Sequence, residues 1–342
     1  MNTVDMKFDR KLDVKGRKIL YELYKDCRST SNQIAKTVGL SREAVDYRIQ
    51  VMEKEGIVRK YITLVDTPRL GYLTYNVYFN LQDCDDAEEE KIRLYLVNHD
   101  FTKWVVSCSG KWDIAVAFAA RDTSHLNEML YNLTSLFQNK IKYYDILSTL
   151  TVYKDADISL VIREIITNPK KGFPTVPPQK LHKLDDTDLK ILSSLSENAR
   201  SNIVDVAKKV KLTPEGTSYR MKKIVGEGLI RGFRAVIDVT KLGHLWYMML
   251  IETAPLPPEI ESKFEMFCQM QKNIFFSDKL LGKWQIRVEI LADDHQHLNK
   301  VMREVRNILS QHLRSYELIV VFDELKQVSF TKGMMTVNKE RV

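Results

Sequence analysis

The chain has little of what would tie it to a membrane, a metal or an oxidising compartment. Its four cysteines, Cys27, Cys84, Cys108 and Cys268, lie too far apart to form a CxxC pair, which excludes a zinc ribbon and fits a reducing compartment. No apolar run approaches the ~18 residues of a membrane span, and MNTVDMKFDRKLDVKGRKIL at the start is too polar for a signal peptide. A cytoplasmic protein without a membrane partner is expected. Phosphate-binding glycine loops and the GxSxG nucleophile motif are missing, and the scattered Ser, His and Asp suggest no triad, so no catalytic residue and no cofactor are expected. His295 and His297 would point about 200° apart on a helix, which argues against a shared metal. With 13 Gly and 9 Pro among 342 residues, neither disorder nor a fibrous repeat fits. What is present is a globular composition, 44% hydrophobic and 28% charged with net charge +7. At roughly 100–200 residues per domain the length calls for at least two domains.

A repeat sets the organisation. LDVKGRKILYEL from Leu12 realigns with LDDTDLKILSSL from Leu184, an offset of 172, with 21 identities over residues 12 to 72. The offset returns at Gly110-Lys111-Trp112 and Gly282-Lys283-Trp284, and at Tyr144 and Tyr316. Between the copies, NPKKGFPTVPPQK holds four of the nine prolines and reads as a linker. In each copy the spacing turns from helical to strand-like near Gly71 and Gly243. The expected domains are 1–66, 72–154, a linker over 155–181, then 182–238 and 244–328.

In the first domain of each copy, Asp13 or Asp185 can cap a helix with apolar residues at helical spacing. A short helix follows with Ile34, Ala35 and Val38 inward. Gly39 ends it, and Ser41 caps a third helix carrying Val45, Ile49 and Met52 on one stripe. That is a helix-turn-helix, whose last helix enters the DNA major groove. Copy two repeats it with Ala207, Val210, the cap Thr213 and Pro214. EGIVRKYITLV and EGLIRGFRAVI then suggest a wing. Residues 7 to 64 hold 14 Lys/Arg against 8 Asp/Glu, and 179 to 236 hold 12 against 7, so these windows carry +11 and the rest −4. Positive charge gathered on two candidate readers points to double-stranded DNA rather than a uniformly solvated surface. The expected DNA-facing residues are Ser41, Arg42, Tyr47, Arg48, Gln50 and Lys54 in copy one. In copy two they are Thr213, Ser218, Tyr219, Arg220, Lys222 and Lys223. Glu43 and Asp46 would repel DNA, so copy two is expected to be the stronger reader.

The second domain of each copy reads β-α-β-β-α-β, the ferredoxin-like split unit with helices on one sheet face. Strands such as YNVYF and YMMLI are apolar at both parities, so the bare face should pack against another sheet. The fold class expected is therefore α+β, with two winged helix-turn-helix and two ferredoxin-like domains. Trp112 and Trp284 read as packing residues.

In order along the chain, LDxxxxxIL with Arg28 or Arg200, the VGLS turn, Arg48-Ile49 and Arg220-Met221, EGxIxx[YF], and Gly110-Lys111-Trp112-Asp113 resemble the Lrp/AsnC feast/famine regulators over nearly the whole chain. The resemblance implies DNA-binding regulation, a ferredoxin-like ligand domain called RAM, dimerisation through RAM sheets with higher homo-oligomers, and amino acid effectors near the Gly-x-x-Asp turn. Ser107, Ser109, Gly110 and Asp113 are the candidate effector residues: glycine permits close backbone approach, and a carboxylate can accept an ammonium. Against this, a turn glycine and a solvated strand-start acid need no ligand. Copy two keeps Gly282 but has Gln285 in place of the acid. Two fused units suggest an intrachain pseudo-dimer. Two alternatives stay open. One is a sirohaem decarboxylase, whose family is similar and which would need basic and histidine groups for a polycarboxylate macrocycle. The other is an effector sensor whose helix-turn-helix does not bind DNA.

Overall fold

The computed structural model describes residues 12–158, 173–175, 178 and 181–337. Most of the linker expected over 155–181 lies outside the described residues.

Each helix of the two helix-turn-helix units begins where a side-chain oxygen satisfies free amides. The Asp13 carboxylate accepts from Gly16 N at 2.7 Å and starts α1 (Val14–Lys25). Thr30 and Gln33 form a capping box on α2 (Ser31–Val38), and Ser41 caps α3 (Arg42–Lys54). In copy two, Asp185, Asn202 and Thr213 cap the corresponding helices. The apolar stripes expected inward are buried: Ile34, Ala35, Val38, Val45, Ile49 and Met52 form one core with Ile19, Leu20 and Leu23. Between α2 and α3 the chain turns through a left-handed residue, Gly39 at φ +67°.

The β-prone run after α3 is not a wing folded within its own unit. A single strand of eight residues leaves its backbone groups unpaired, and burial makes that costly. Strand β1 (Val58–Val65) pairs antiparallel with its counterpart in copy two, Ile230–Ile237, so the two readers share one ribbon.

The second domains close on each other. After β2 (Leu73–Leu81) come α4 (Asp86–Asn98), β3 (Thr102–Ser109), β4 (Ile114–Ala120), α5 (Thr123–Leu136), the long β5 (Ile141–Lys154) and a two-residue β6 (Phe173–Pro174) that adds to β5. Copy two opens with α6 (Asp186–Glu197), α7 (Ile203–Val210), α8 (Pro214–Gly226) and β7 (Ile230–Ile237). It continues through β8 (Leu245–Thr253), α9 (Pro258–Met270), β9 (Ile274–Leu281), β10 (Ile286–Ala292), α10 (His295–Leu309), β11 (Leu313–Gln327) and α11 (Gly333–Val337), which packs against α6.

The strand order β2-β4-β3-β11-β8-β10-β9-β5 returns to β2, so eight strands form a closed barrel. Two four-stranded sheets are stitched at β3–β11 and β5–β9, with Val106 beside Glu324 and Val152 beside Asp278. These pairs are related by the 172-residue offset, so a pseudo-twofold runs through the barrel. Closure removes the exposed edges that single sheets would present, and it explains the apolar character of both parities. One parity, including Val77, Val105, Val116 and Phe118, packs under the helices; the other, including Tyr78, Val106, Trp112 and Leu147, fills the barrel. Trp112 and Trp284 are fully buried there and meet edge to face at 6.2 Å, a contact worth about 0.5–1.5 kcal/mol beyond area burial.

Candidate functional site

The outward faces of α3 and α8 are the candidate nucleic-acid interface. Tyr47 is 68% exposed and Tyr219 71%, unusual for aromatic rings with no partner to cover. Ser41, Arg42, Gln50 and Lys54 are exposed on α3; Thr213, Lys222 and Lys223 are exposed around α8, with Ser218 half-buried. Asp46 is held by Ser31 and lies 3.5 Å from Arg42, so part of its charge is turned away from any docked polyanion. Glu43 remains exposed.

Two arginines expected at phosphates have other partners. Arg48 makes a bidentate pair with Asp13 at 2.7 and 2.9 Å, holding the Asp13 carboxyl below its usual range. Arg220 reaches Asp185 at 2.6 Å and Asp188 at 2.8 Å. These pairs lock the third helix of each unit to the cap of its first. The two partners are 35 residues apart in sequence, so neither periodicity nor local motif could show the contact.

A second arginine pair ties the units together. Arg28 Nη1 donates to the carbonyls of Ala199 at 2.6 Å and Ser201 at 3.1 Å, and the guanidinium covers the Phe233 ring at 5.3 Å. Its equivalent, Arg200, covers the Tyr61 ring at 5.0 Å. Cys27 N donates to Phe233 O and Ala199 N to Tyr61 O, each at 3.0 Å. Each reader therefore sits on the ribbon strand of the other copy. The repeat showed both arginines, but not that they face across it.

At the turns, the expected effector carboxylate is already engaged. Asp113 accepts from Leu81 N at 2.7 Å and Asn80 Nδ2 at 3.3 Å. Gln285 does the same work in copy two, accepting from Thr253 N at 2.8 Å. The shared task is to cap the end of β2 or β8, and an amide oxygen serves as well as a carboxylate. Gly110 and Gly282 adopt φ +130° and +144°, and a Cβ on either would meet a β11 or β5 carbonyl at 3.2 or 3.0 Å. The turns press against the seams of the barrel. Ser107 is buried and Ser109 exposed.

A different site was not visible in the sequence. A cavity of about 230 Å³ lies where the ribbon crosses the barrel mouth. Ile62, Leu64 and Arg231 of the ribbon line it above; Trp104, Trp246, Asp278, Arg287, Glu289 and Glu324 line it below. Lys103, on its copy-one side, donates to Thr67 at 3.3 Å and Thr74 at 3.0 Å, and burial pulls the amine down to about 8. Comparing the copies position by position would have exposed the cluster: Asp278, Arg287, Glu289 and Glu324 stand where copy one has Val106, Ala115, Ala117 and Val152. Among the described residues no group of three or more His, Cys, Asp or Glu is placed to hold a metal, and no helix is long and apolar enough to cross a membrane.

The fold and these surfaces define a tandem winged helix-turn-helix protein with paired ferredoxin-like domains. Residues 12–59 and 184–231 each match the winged helix-turn-helix DNA-binding family. An uncharacterised HTH-type transcriptional regulator of Pyrococcus furiosus is 28% identical over 151 residues, 43% of this chain and 97% of that one. The transcriptional regulator AzlB of Bacillus subtilis is 29% identical over 159 residues, 45% of this chain and 94% of that one. Over nearly full length the fold is similar to that of the sirohaem decarboxylase NirDL, with TM-score 0.60 at 15% identity, covering 95% of this chain and 97% of that one. The chain therefore carries two winged helix-turn-helix units of that family in tandem, each followed by a ferredoxin-like domain.

Proposed function

We propose that the protein is a transcription regulator that binds double-stranded DNA through α3 and α8 and that a small effector controls how the two readers are placed. The observation that carries this reading is the pairing on one ribbon of two third helices with exposed outer faces, each clamped to the other copy by Arg28 or Arg200. Such a frame presents two non-identical readers at a fixed separation, suited to an asymmetric operator. The names of the relatives support the same reading. The proposed contacts are Ser41, Arg42, Tyr47, Gln50 and Lys54 on one reader, and Thr213, Ser218, Tyr219, Lys222 and Lys223 on the other. Arg48 and Arg220 act by fixing the helix that presents them. Half-sites on one DNA face would be separated by about one helical turn, ~10 bp, or a multiple. The chain works in the cytoplasm, as its own pseudo-dimer and in higher assemblies through exposed barrel residues such as Tyr143 and Phe322. A gel shift on the DNA upstream of its own gene, followed by footprinting, tests the reading. Salt-sensitive binding with phased protection is expected; salt-independent or unphased binding would sink it.

The decarboxylase reading rests on fold likeness alone. At about 230 Å³ the barrel-mouth cavity falls below the about 300–1,000 Å³ of ordinary ligand pockets. Its described lining has five acids, Asp66, Asp155, Asp278, Glu289 and Glu324, against Lys103, Arg231 and Arg287, with no histidine. That lining does not suit a polycarboxylate macrocycle.

A further inference from the structure

Buried charge is expensive, and the barrel does not need it at its mouth. Copy one closes the same strands in the same register with Val106, Ala115, Ala117 and Val152. In copy two, Arg287 spends its hydrogen bonds on Asp278, at 3.0 and 2.7 Å, and on Asn76 Oδ1 at 3.2 Å. Two carboxyl groups are left with incomplete compensation. Glu289, 5% exposed, accepts from the Trp246 indole at 3.2 Å, while its other oxygen lies 3.7 Å from Arg287 Nε, beyond a hydrogen bond. The Glu324 side chain, 10% exposed, accepts from the Trp104 indole at 2.9 Å, and its other oxygen lies 3.6 Å from Arg59. Burial pushes both carboxyls up to about 7. Each carries an oxygen without a charged hydrogen bond, both line the same cavity, and two indoles 6.4 Å apart line it with them. Carboxylates beside aromatic rings make a favourable environment for an organic cation.

We infer that the barrel-mouth cavity binds one small molecule per chain through a primary ammonium group, received by Glu289 and Glu324 beside Trp104 and Trp246. Its aromatic and aliphatic walls, Phe275 and Ile62 among them, take a short apolar tail. Lys103 also lines the cavity and would meet the carboxylate of a zwitterion, so a zwitterion and a plain amine are distinguishable sources of the same ammonium chemistry. Occupancy reaches the readers through Arg59 of the ribbon, which also donates to the Glu324 carbonyl and competes with the ammonium for that carboxylate. This consequence rests on the regulator reading; the binding itself does not. The site is separate from the Gly110 and Gly282 turns, of which the chain has two.

The test is calorimetry on the full chain with butylamine, L-norvaline and pentanoate, with tryptophan fluorescence followed in parallel. Binding of butylamine, norvaline or both at one site per chain, with a fluorescence change and no pentanoate binding, is expected. Glu289→Gln and Glu324→Gln should each weaken it about tenfold or more, the loss of one charge-assisted hydrogen bond. Glu289→Ala and Glu324→Val, which install the copy-one residues, should do the same if the glutamine variants fold poorly. Asp113→Ala should leave it unchanged. Lys103→Met separates the sources: it weakens norvaline alone if the ligand is a zwitterion and neither probe if it is an amine. Pentanoate binding as tightly as butylamine, two sites per chain, unchanged affinity in the Glu289 and Glu324 variants, or no amine binding up to ~10 mM would overturn the proposal. Failure of DNA binding in a gel shift, with amine binding intact, would strike the regulator reading and leave this one standing.

Discussion

The two copies keep the same frame and differ in what they put inside it. The caps of the helix-turn-helix units, the ribbon register, the Asp113 or Gln285 strand cap and the Gly110 or Gly282 turn survive the 172-residue offset, because each satisfies backbone groups or fits a close approach that any such unit would need. The barrel mouth does not survive it. Copy one puts Ala117 and Val152 on the cavity wall, whereas copy two puts Glu289 and Glu324 at those positions, beside Asp278 and Arg287. Positions that hold the fold together are the same in both copies, and positions free of that duty have diverged. The readers differ in the same way: Asp46, Gln50 and Val51 of α3 stand where α8 has Ser218, Lys222 and Lys223, while Glu43 is kept as Glu215.

Breaking the charged half should have the largest effect. Arg287→Leu leaves Asp278 buried without its bidentate partner, and about 3–5 kcal/mol of stability should be lost in denaturant unfolding. Asp278→Val with Arg287→Ala, the copy-one pair, should lose less than the single change. If the single and double variants are equally unstable, the ion pair is not what holds that wall.

The readers come next. Lys222→Glu with Lys223→Glu should weaken DNA binding strongly and lower the salt slope by about two units, one per phosphate contact. Gln50→Glu with Lys54→Glu, two exposed positions on the outer face of α3, should cost less. A smaller loss from copy two than from copy one would reverse the expected ranking of the readers.

The pH profile follows from the carboxyls at the barrel mouth. Glu289 and Glu324 are raised from an ordinary 4.5 to about 7, so the folded state holds their protons more tightly than the unfolded one. Their contribution is full below about pH 4.5 and is lost as pH rises through 7. The thermal midpoint should therefore fall between about pH 5 and pH 8, and Glu289→Gln with Glu324→Gln should flatten that slope. A midpoint that rises over this range, or a slope the double variant keeps, would contradict it.

The smallest effect concerns a place where copy two departs from the frame. Lys211 adopts φ +57°, where copy one has Gly39 at +67°. Lys211→Gly should leave stability unchanged or raise it by at most about 1 kcal/mol, whereas Gly39→Lys should lower it. Differential scanning calorimetry reads both.

Much of this was legible in the sequence, for physical reasons. Repeats, caps and helical stripes are local, so Asp13, Ser41, Gly39 and the Val45-Ile49-Met52 stripe could be placed from spacing alone. The βαββαβ order was legible for the same reason. What stayed hidden was contact across the pseudo-twofold. Each run taken for a wing is a strand that pairs with the other copy, and Arg48 and Arg220 face inward to acids 35 residues away. Asp113 carried the chemistry expected of an effector ligand, yet its task is the one Gln285 performs without charge. The cavity residues could have been flagged by asking where the copies disagree, since a charge replacing an alanine in a strand with neighbours on both sides demands a partner.

In the proposed function, two linked, unequal readers bind DNA as one unit. Fluorescence anisotropy of the full chain on a DNA site selected from a random pool, measured across salt concentrations, tests it most directly. Tight binding whose affinity falls steeply with salt is expected, with a shallower slope in Lys222→Glu/Lys223→Glu. Binding indifferent to salt, or a slope unchanged by that substitution, would contradict it.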